Sequence, residues 1–137
     1  MNTVFPEDKA AITVLTNQDA SSAADAIAAE LGPMLIGRSK EEERALSILT
    51  GLQKGMLDRS QLTEFCNAYF TPEAIDDFAS SLKNLGTPIS FQQGSEEHRG
   101  GMIFRAFRAE FQDRHLAITT YEMPDGKLEQ FLVIPGR

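Results

Sequence analysis

A change of hydrophobic period at Gly86 constrains this chain more than any other feature. Before Gly86, apolar residues recur at helical spacing; after it, they recur at every second position. Upstream, Ala45, Ile48, Leu49, Leu52 and Met56 form one apolar stripe. Leu62, Phe65, Cys66 and Tyr69 form a second. Ile75, Phe78, Ala79, Leu82 and Leu85 form a third, and Gly86 stops it. Downstream, strands are expected at 88–97, 101–112, 114–123 and 127–134. Gly100-Gly101, Asp113-Arg114 and Pro124-Asp125-Gly126 supply the turns of an antiparallel meander. Helices followed by strands predict an α+β domain with helices packed on a curved antiparallel sheet.

The helix boundaries carry their own chemistry. Thr71-Pro72-Glu73 puts a cap, a proline at the first helical position and an acid on the positive helix end. Ser39 with Glu42, and Asp58 with Gln61, have capping-box spacing. The acid run 41–43 reads as a solvated helix start, and Gly55 weakens the last turn of the first of these three helices. Residues 37–44 are polar and read as a linker into that helix. They separate the domain of residues 45–137 from an N-terminal segment of residues 1–36. In that segment, residues 11–16 read as a short buried strand. A helix capped by Ser22 follows, with Ala24, Ile27, Ala28 and Leu31 on one face, until Gly32-Pro33 ends it.

At 137 residues the chain can bury a sizeable core. A net charge of −7 repels phosphate backbones and anionic bilayers, so neither nucleic acid nor a membrane surface is an expected partner. One cysteine, Cys66, excludes an internal disulfide, and with His98 and His115 it gives no zinc-ligand spacing. No metal or cofactor is expected. Glu7 and Asp8 with no long apolar run give no signal peptide on the chain as given.

The strands hold a further clue. Ile103, Phe107, Ala109 and Phe111 share one row with Arg105, while Met102, Phe104 and Ala106 make the other row apolar as well. Leu128, Leu132 and Ile134 against Phe131 and Val133 repeat the pattern. A sheet with one wet face alternates more cleanly, so both faces are expected to be covered. Helices would cover one. A dimer partner, another domain or residues 1–36 would meet the other.

Residues 42–135, ending in the run Tyr121-Glu122-Met123-Pro124-Asp125-Gly126-Lys127-Leu128-Glu129-Gln130-Phe131, resemble the nuclear transport factor 2-like superfamily. Asn67-Ala68-Tyr69-Phe70-Thr71-Pro72, Leu85-Gly86-Thr87-Pro88 and Arg99-Gly100-Gly101-Met102 are more specific. That combination resembles the domain found C-terminal to serine hydrolases of the β-lactamase and penicillin-binding class. Val4-Phe5-Pro6, the strand at 11–16, Asn17-Gln18-Asp19 and the following helix resemble the last strand and last helix of such a hydrolase. The resemblance implies a cone-shaped accessory or small-ligand-binding domain with no chemistry of its own. The two-sided apolar sheet predicts a homodimer through the sheet or packing against a hydrolase domain; a small apolar ligand in the cone is also expected, and the resemblance implies a parent protein exported to the periplasm or beyond. The alternative is a free-standing small isomerase, cyclase or hydrolase with a pocket in the cone.

Candidate site residues are few. Ser80-Ser81-Leu82-Lys83 has the Ser-x-x-Lys spacing of penicillin-binding nucleophiles, but the chain holds no Tyr-x-Asn or Lys-Thr-Gly to complete it. Isomerase chemistry needs a carboxylate base and donors for an enolate oxygen. Tyr69, Asp76, Glu110, His115, Tyr121 and Glu129 are the available groups, and none falls in a catalytic motif. Asp76 and Asp77 belong to the polar side of the third helix, and His115 follows a turn. Tyr69 is expected in the core and Cys66 as a buried, inert thiol. A core-facing Arg105 would need a carboxylate or an anionic ligand, since a buried unpaired charge costs several kcal/mol. Glu129 is the expected partner, which gives a candidate polar cluster of Arg105, Tyr121 and Glu129, with Tyr69 beside it.

Overall fold

The computed structural model of the chain describes residues 2–5, 10–15, 23, 26–27, 31 and 37–136. The chain divides into two compact units, Met1–Ser39 and Lys40–Arg137. In the first, β1 (Asn2–Phe5) pairs antiparallel with β2 (Ala10–Thr13). The strand expected at 11–16 is thus shorter, and Leu15 beyond it is exposed. Ala23, Ala26, Ile27 and Leu31 are helical; Ser22, Ala24, Ala28, Gly32 and Pro33 lie outside the described residues.

The second unit is α+β. Helices α1 (Lys40–Gln53), α2 (Glu64–Tyr69) and α3 (Pro72–Leu82) precede a meander of β3 (Ser90–Arg99), β4 (Met102–Glu110), β5 (His115–Glu122) and β6 (Leu128–Pro135). The strands pair in the order β3-β4-β5-β6, all antiparallel. Helix α1 begins at Lys40, so the polar stretch 37–44 is mostly helix rather than linker. Gly55, at φ 72°, ends α1. Gly55 N donates to Leu52 O at 3.1 Å and Met56 N to Gly51 O at 2.8 Å, the paired bonds of a Schellman cap. Gly51 is needed for this approach, because a Cβ there would stand 2.8 Å from Met56 O. Met56 therefore lies past the helix and is exposed, outside the stripe expected for it.

The caps decide which residues enter the core. Asp58 accepts from Ser60 N at 3.1 Å, Ser60 Oγ at 2.6 Å and Gln61 Nε2 at 3.0 Å. This builds a single 3₁₀ turn, Arg59–Gln61, and not the helix start expected from the Asp58/Gln61 spacing. Thr63 is the actual cap of α2, accepting from Cys66 N at 3.1 Å. Thr71 caps α3 as its sequence predicts, accepting from Ala74 N at 3.2 Å. The later start of α2 turns Leu62 and Cys66 inward and leaves Phe65 and Tyr69 exposed. Phe70, just past the end of α2, takes the core position instead and meets Phe78 at 5.7 Å between ring centroids.

One continuous core joins the helices to one face of the sheet: Leu49 and Leu52 against Phe107, Ile118, Leu128 and Phe131. Phe91 and Phe107 stack within it at 5.6 Å. Two register shifts interrupt the ladders, one between Gln93 and Ser95 and one opposite the step from Tyr121 to Glu122. At the second, Tyr121 faces Gln130 and Glu122 faces Leu128, so Glu129 is an extra residue. The shift resets the parity of β6. Leu128 shares the core face with Phe131 and Val133, and Leu132 and Ile134 turn to the outer face. The rows read from simple alternation are corrected accordingly.

Leu49 is wholly buried at the centre of this core. Leu49→Ala is expected to destabilise the domain by about 2–5 kcal/mol through lost transfer energy and an unfilled cavity. Urea unfolding followed by circular dichroism measures it.

Candidate functional site

Two polar features stand out on the sheet, on opposite faces. The first is a chain of ion pairs on the core face. Arg105 is 6% exposed, in a row with Phe107 and Ala109. Its Nε donates to Glu96 at 2.7 Å and its Nη1 to Glu122 at 2.8 Å. Glu122 also receives Arg44 Nη1 at 3.2 Å. Arg44 reaches further, to Gln61 O at 3.2 Å and Gly126 O at 2.7 Å. The buried guanidinium therefore finds carboxylates, as the sequence requires. Its partners are Glu96, directly across the ladder on β3, and Glu122, diagonally placed on β5, and not Glu129.

The cluster expected from Arg105, Tyr121 and Glu129 does not form. Arg105 pairs with Thr120, so Tyr121, one residue on, points from the other face. The space around Arg105 is filled: the gap between α1 and the sheet there holds about 10 Å³. The hydrogen bond from Arg105 holds Glu96 below the usual carboxylate range, although burial opposes the shift. Asp58, bonded by Ser60 and Gln61, is also lowered. An enzyme using a buried carboxylate base would need a shift in the other direction.

The second feature is a cleft of about 620 Å³. Phe65 and Tyr69 of α2 form one wall; Met102, Tyr121, Glu129 and Leu132 of the sheet form the other. Tyr69, Tyr121 and Glu129 are thus brought together, and Arg105 is not. Phe65 and Tyr69 lie four residues apart on the open side of α2, which explains their exposure of 74% and 58%. Tyr69 is a cleft residue and not a core residue.

The sheet wall is set by contacts on its outer face. Arg99 lies 4.2 Å from the centre of the Phe104 ring, and Phe104 meets Tyr121 at 5.2 Å. Arg99 also approaches the Tyr121 hydroxyl at 3.5 Å and pairs with Glu97 at 2.7 Å. Cys66 closes the floor, and it is buried as expected. Burial pushes its thiol pKa up; the Phe131 backbone opposes the shift and the Glu129 charge adds to it. Ser80 and Lys83 are exposed at the far end of α3, outside the cleft. Asp76, Asp77 and His115 are exposed too, away from it. Sequence reasoning missed Arg44, which looked like linker, and the β6 bulge, which has no residue signature.

The ion-pair chain makes a graded prediction. Arg105→Ala leaves the half-buried Glu122 with Arg44 as its remaining partner and opens a gap in the core face, and should cost roughly 3 kcal/mol. Glu96→Gln, at a carboxylate that is 45% exposed, should cost under about 1 kcal/mol. Because the folded state lowers the Glu96 pKa, its contribution is complete above the ordinary value of 4.5 and fades as pH falls below it. Chemical denaturation of both variants between pH 3 and pH 7 checks the ranking and the sign.

No protein-family model matches the chain, and no curated protein and no solved structure matches it either.

Proposed function

We propose that this chain is a non-catalytic accessory and small-ligand-binding domain with a nuclear transport factor 2-like cone, working beside a serine hydrolase of the β-lactamase class. The observation that carries this reading is the two-sided apolar sheet with a cleft at one end. The core face of the sheet packs against the helices. Its outer face still presents Met102, Phe104, Leu132 and Ile134, and it runs into the cleft beside α2. Contiguous exposed apolar surface of this kind marks a binding or docking face. A hydrolase domain or a second copy of this chain covers the outer face, and a small molecule occupies the cleft. The short runs resembling hydrolase-associated domains, and the separate unit Met1–Ser39, support the association.

Two measurements test the reading. An antibody against this domain should detect a native gene product several times heavier than 15.1 kDa. A species near that mass would remove the attached hydrolase. The isolated chain at high concentration should sediment as a dimer, and Ile134→Glu, at a position 41% exposed, should shift it to monomer. A chain that stays monomeric at every concentration would remove self-association.

A further inference from the structure

We propose that the cleft binds a small organic cation with an apolar body, Glu129 taking the charge and the rings of Phe65, Tyr69 and Tyr121 packing around it. The inference rests on the reading of the cleft as a ligand site and adds the chemical class. Its starting point is an imbalance among the glutamates of the sheet. Glu96 and Glu122 pair with Arg105, Glu97 with Arg99, and Glu110 with Arg108. Glu129, the remaining strand glutamate, has no hydrogen bond or ion pair among the described residues, yet it is half-buried in a mostly apolar wall. Among the described residues, no lysine, arginine or histidine lines the cleft to neutralise it.

The backbone supports a built site. Glu129 is the extra residue of the β6 bulge, and bulges re-aim side chains beside binding sites. Regular alternation cannot bury both Leu128 and Phe131, three residues apart, so the chain must set one residue between them out of the ladder, and that residue is Glu129. A carboxylate in an apolar wall is poorly solvated, so an opposite charge there gains more than it would in water. Aromatic faces attract the same charge through their quadrupoles. The Tyr121 ring is already held by Phe104 and Arg99. The volume of about 620 Å³ suits a compact molecule carrying an aryl or branched alkyl group.

The test uses the full chain, isotopically labelled, titrated with phenyltrimethylammonium and with its neutral carbon isostere, tert-butylbenzene. The cation should bind saturably and at least tenfold more tightly, with amide shifts concentrated at Tyr69, Tyr121 and Glu129. Glu129→Gln should abolish that preference while neutral binding persists. Tyr69→Leu, at an exposed position that does not challenge folding, should weaken the cation more than the neutral probe. Acetyl-arginine amide, standing for a partner protein's side chain, should bind at least tenfold more weakly than phenyltrimethylammonium. Equal binding of the cation and its isostere overturns the charge assignment but leaves the cleft as an apolar site. A preference that survives Glu129→Gln does the same. Equal binding of the arginine amide transfers the cleft to a protein partner and overturns the small-molecule class. Failure of every probe overturns the ligand-site reading itself.

Discussion

Arg105 sits in the hydrophobic row of β4, and the rest of the domain is arranged to satisfy it. A guanidinium that is 6% exposed is tolerable only if its donors meet acceptors in good geometry. Glu96 supplies one from β3 and Glu122 another from β5, so a single side chain ties three adjacent strands. Glu122 then passes the connection to Arg44 of α1, and Arg44 reaches the turn at Gly126 and the 3₁₀ turn at Gln61. Helix and sheet meet at the Glu122 carboxylate, and the two connections join them through the Arg44 guanidinium. Such a network specifies an arrangement more than it stabilises one, because desolvation offsets much of the Coulomb gain.

The same region holds the device that separates the two faces of the sheet. Glu122 must face the core to reach Arg105, and Leu128 must face the core to pack under α1. Phe131 must face it as well, three residues after Leu128, which strict alternation forbids. One extra residue in β6 resolves the conflict, and that residue is Glu129. The bulge thus serves the core on one side and places on the other a carboxylate that has no ion pair among the described residues.

The short helix α2 completes the arrangement. Its N-cap at Thr63 and the backbone bond from Thr63 N to Leu128 O, 3.0 Å, fix it against the start of β6. Leu62 and Cys66 are drawn in, and Phe65 and Tyr69 become the outer wall of the cleft. The helix packs one side on β6, and its aromatic side stays exposed among the described residues.

The residues alone determined the order of helices and strands after Lys40, the change of period at Gly86, the Thr71-Pro72 helix start, the four strands of the meander and their turns; the strand Asn2–Phe5 was not among them. These are local properties, set by caps, proline, glycine and alternation within a few residues. The need of Arg105 for a carboxylate was also legible, because burial of its row followed from the neighbouring apolar residues. Which carboxylate answered was not. Strand register selects Glu96 and Glu122, and register is a relation between distant segments. Tertiary structure alone decided that Phe70 enters the core in place of Tyr69, that Arg44 reaches Glu122 and Gly126, and that β6 carries an extra residue. Each depends on how one element meets another across the core, and a pattern read along the chain carries no information about that meeting.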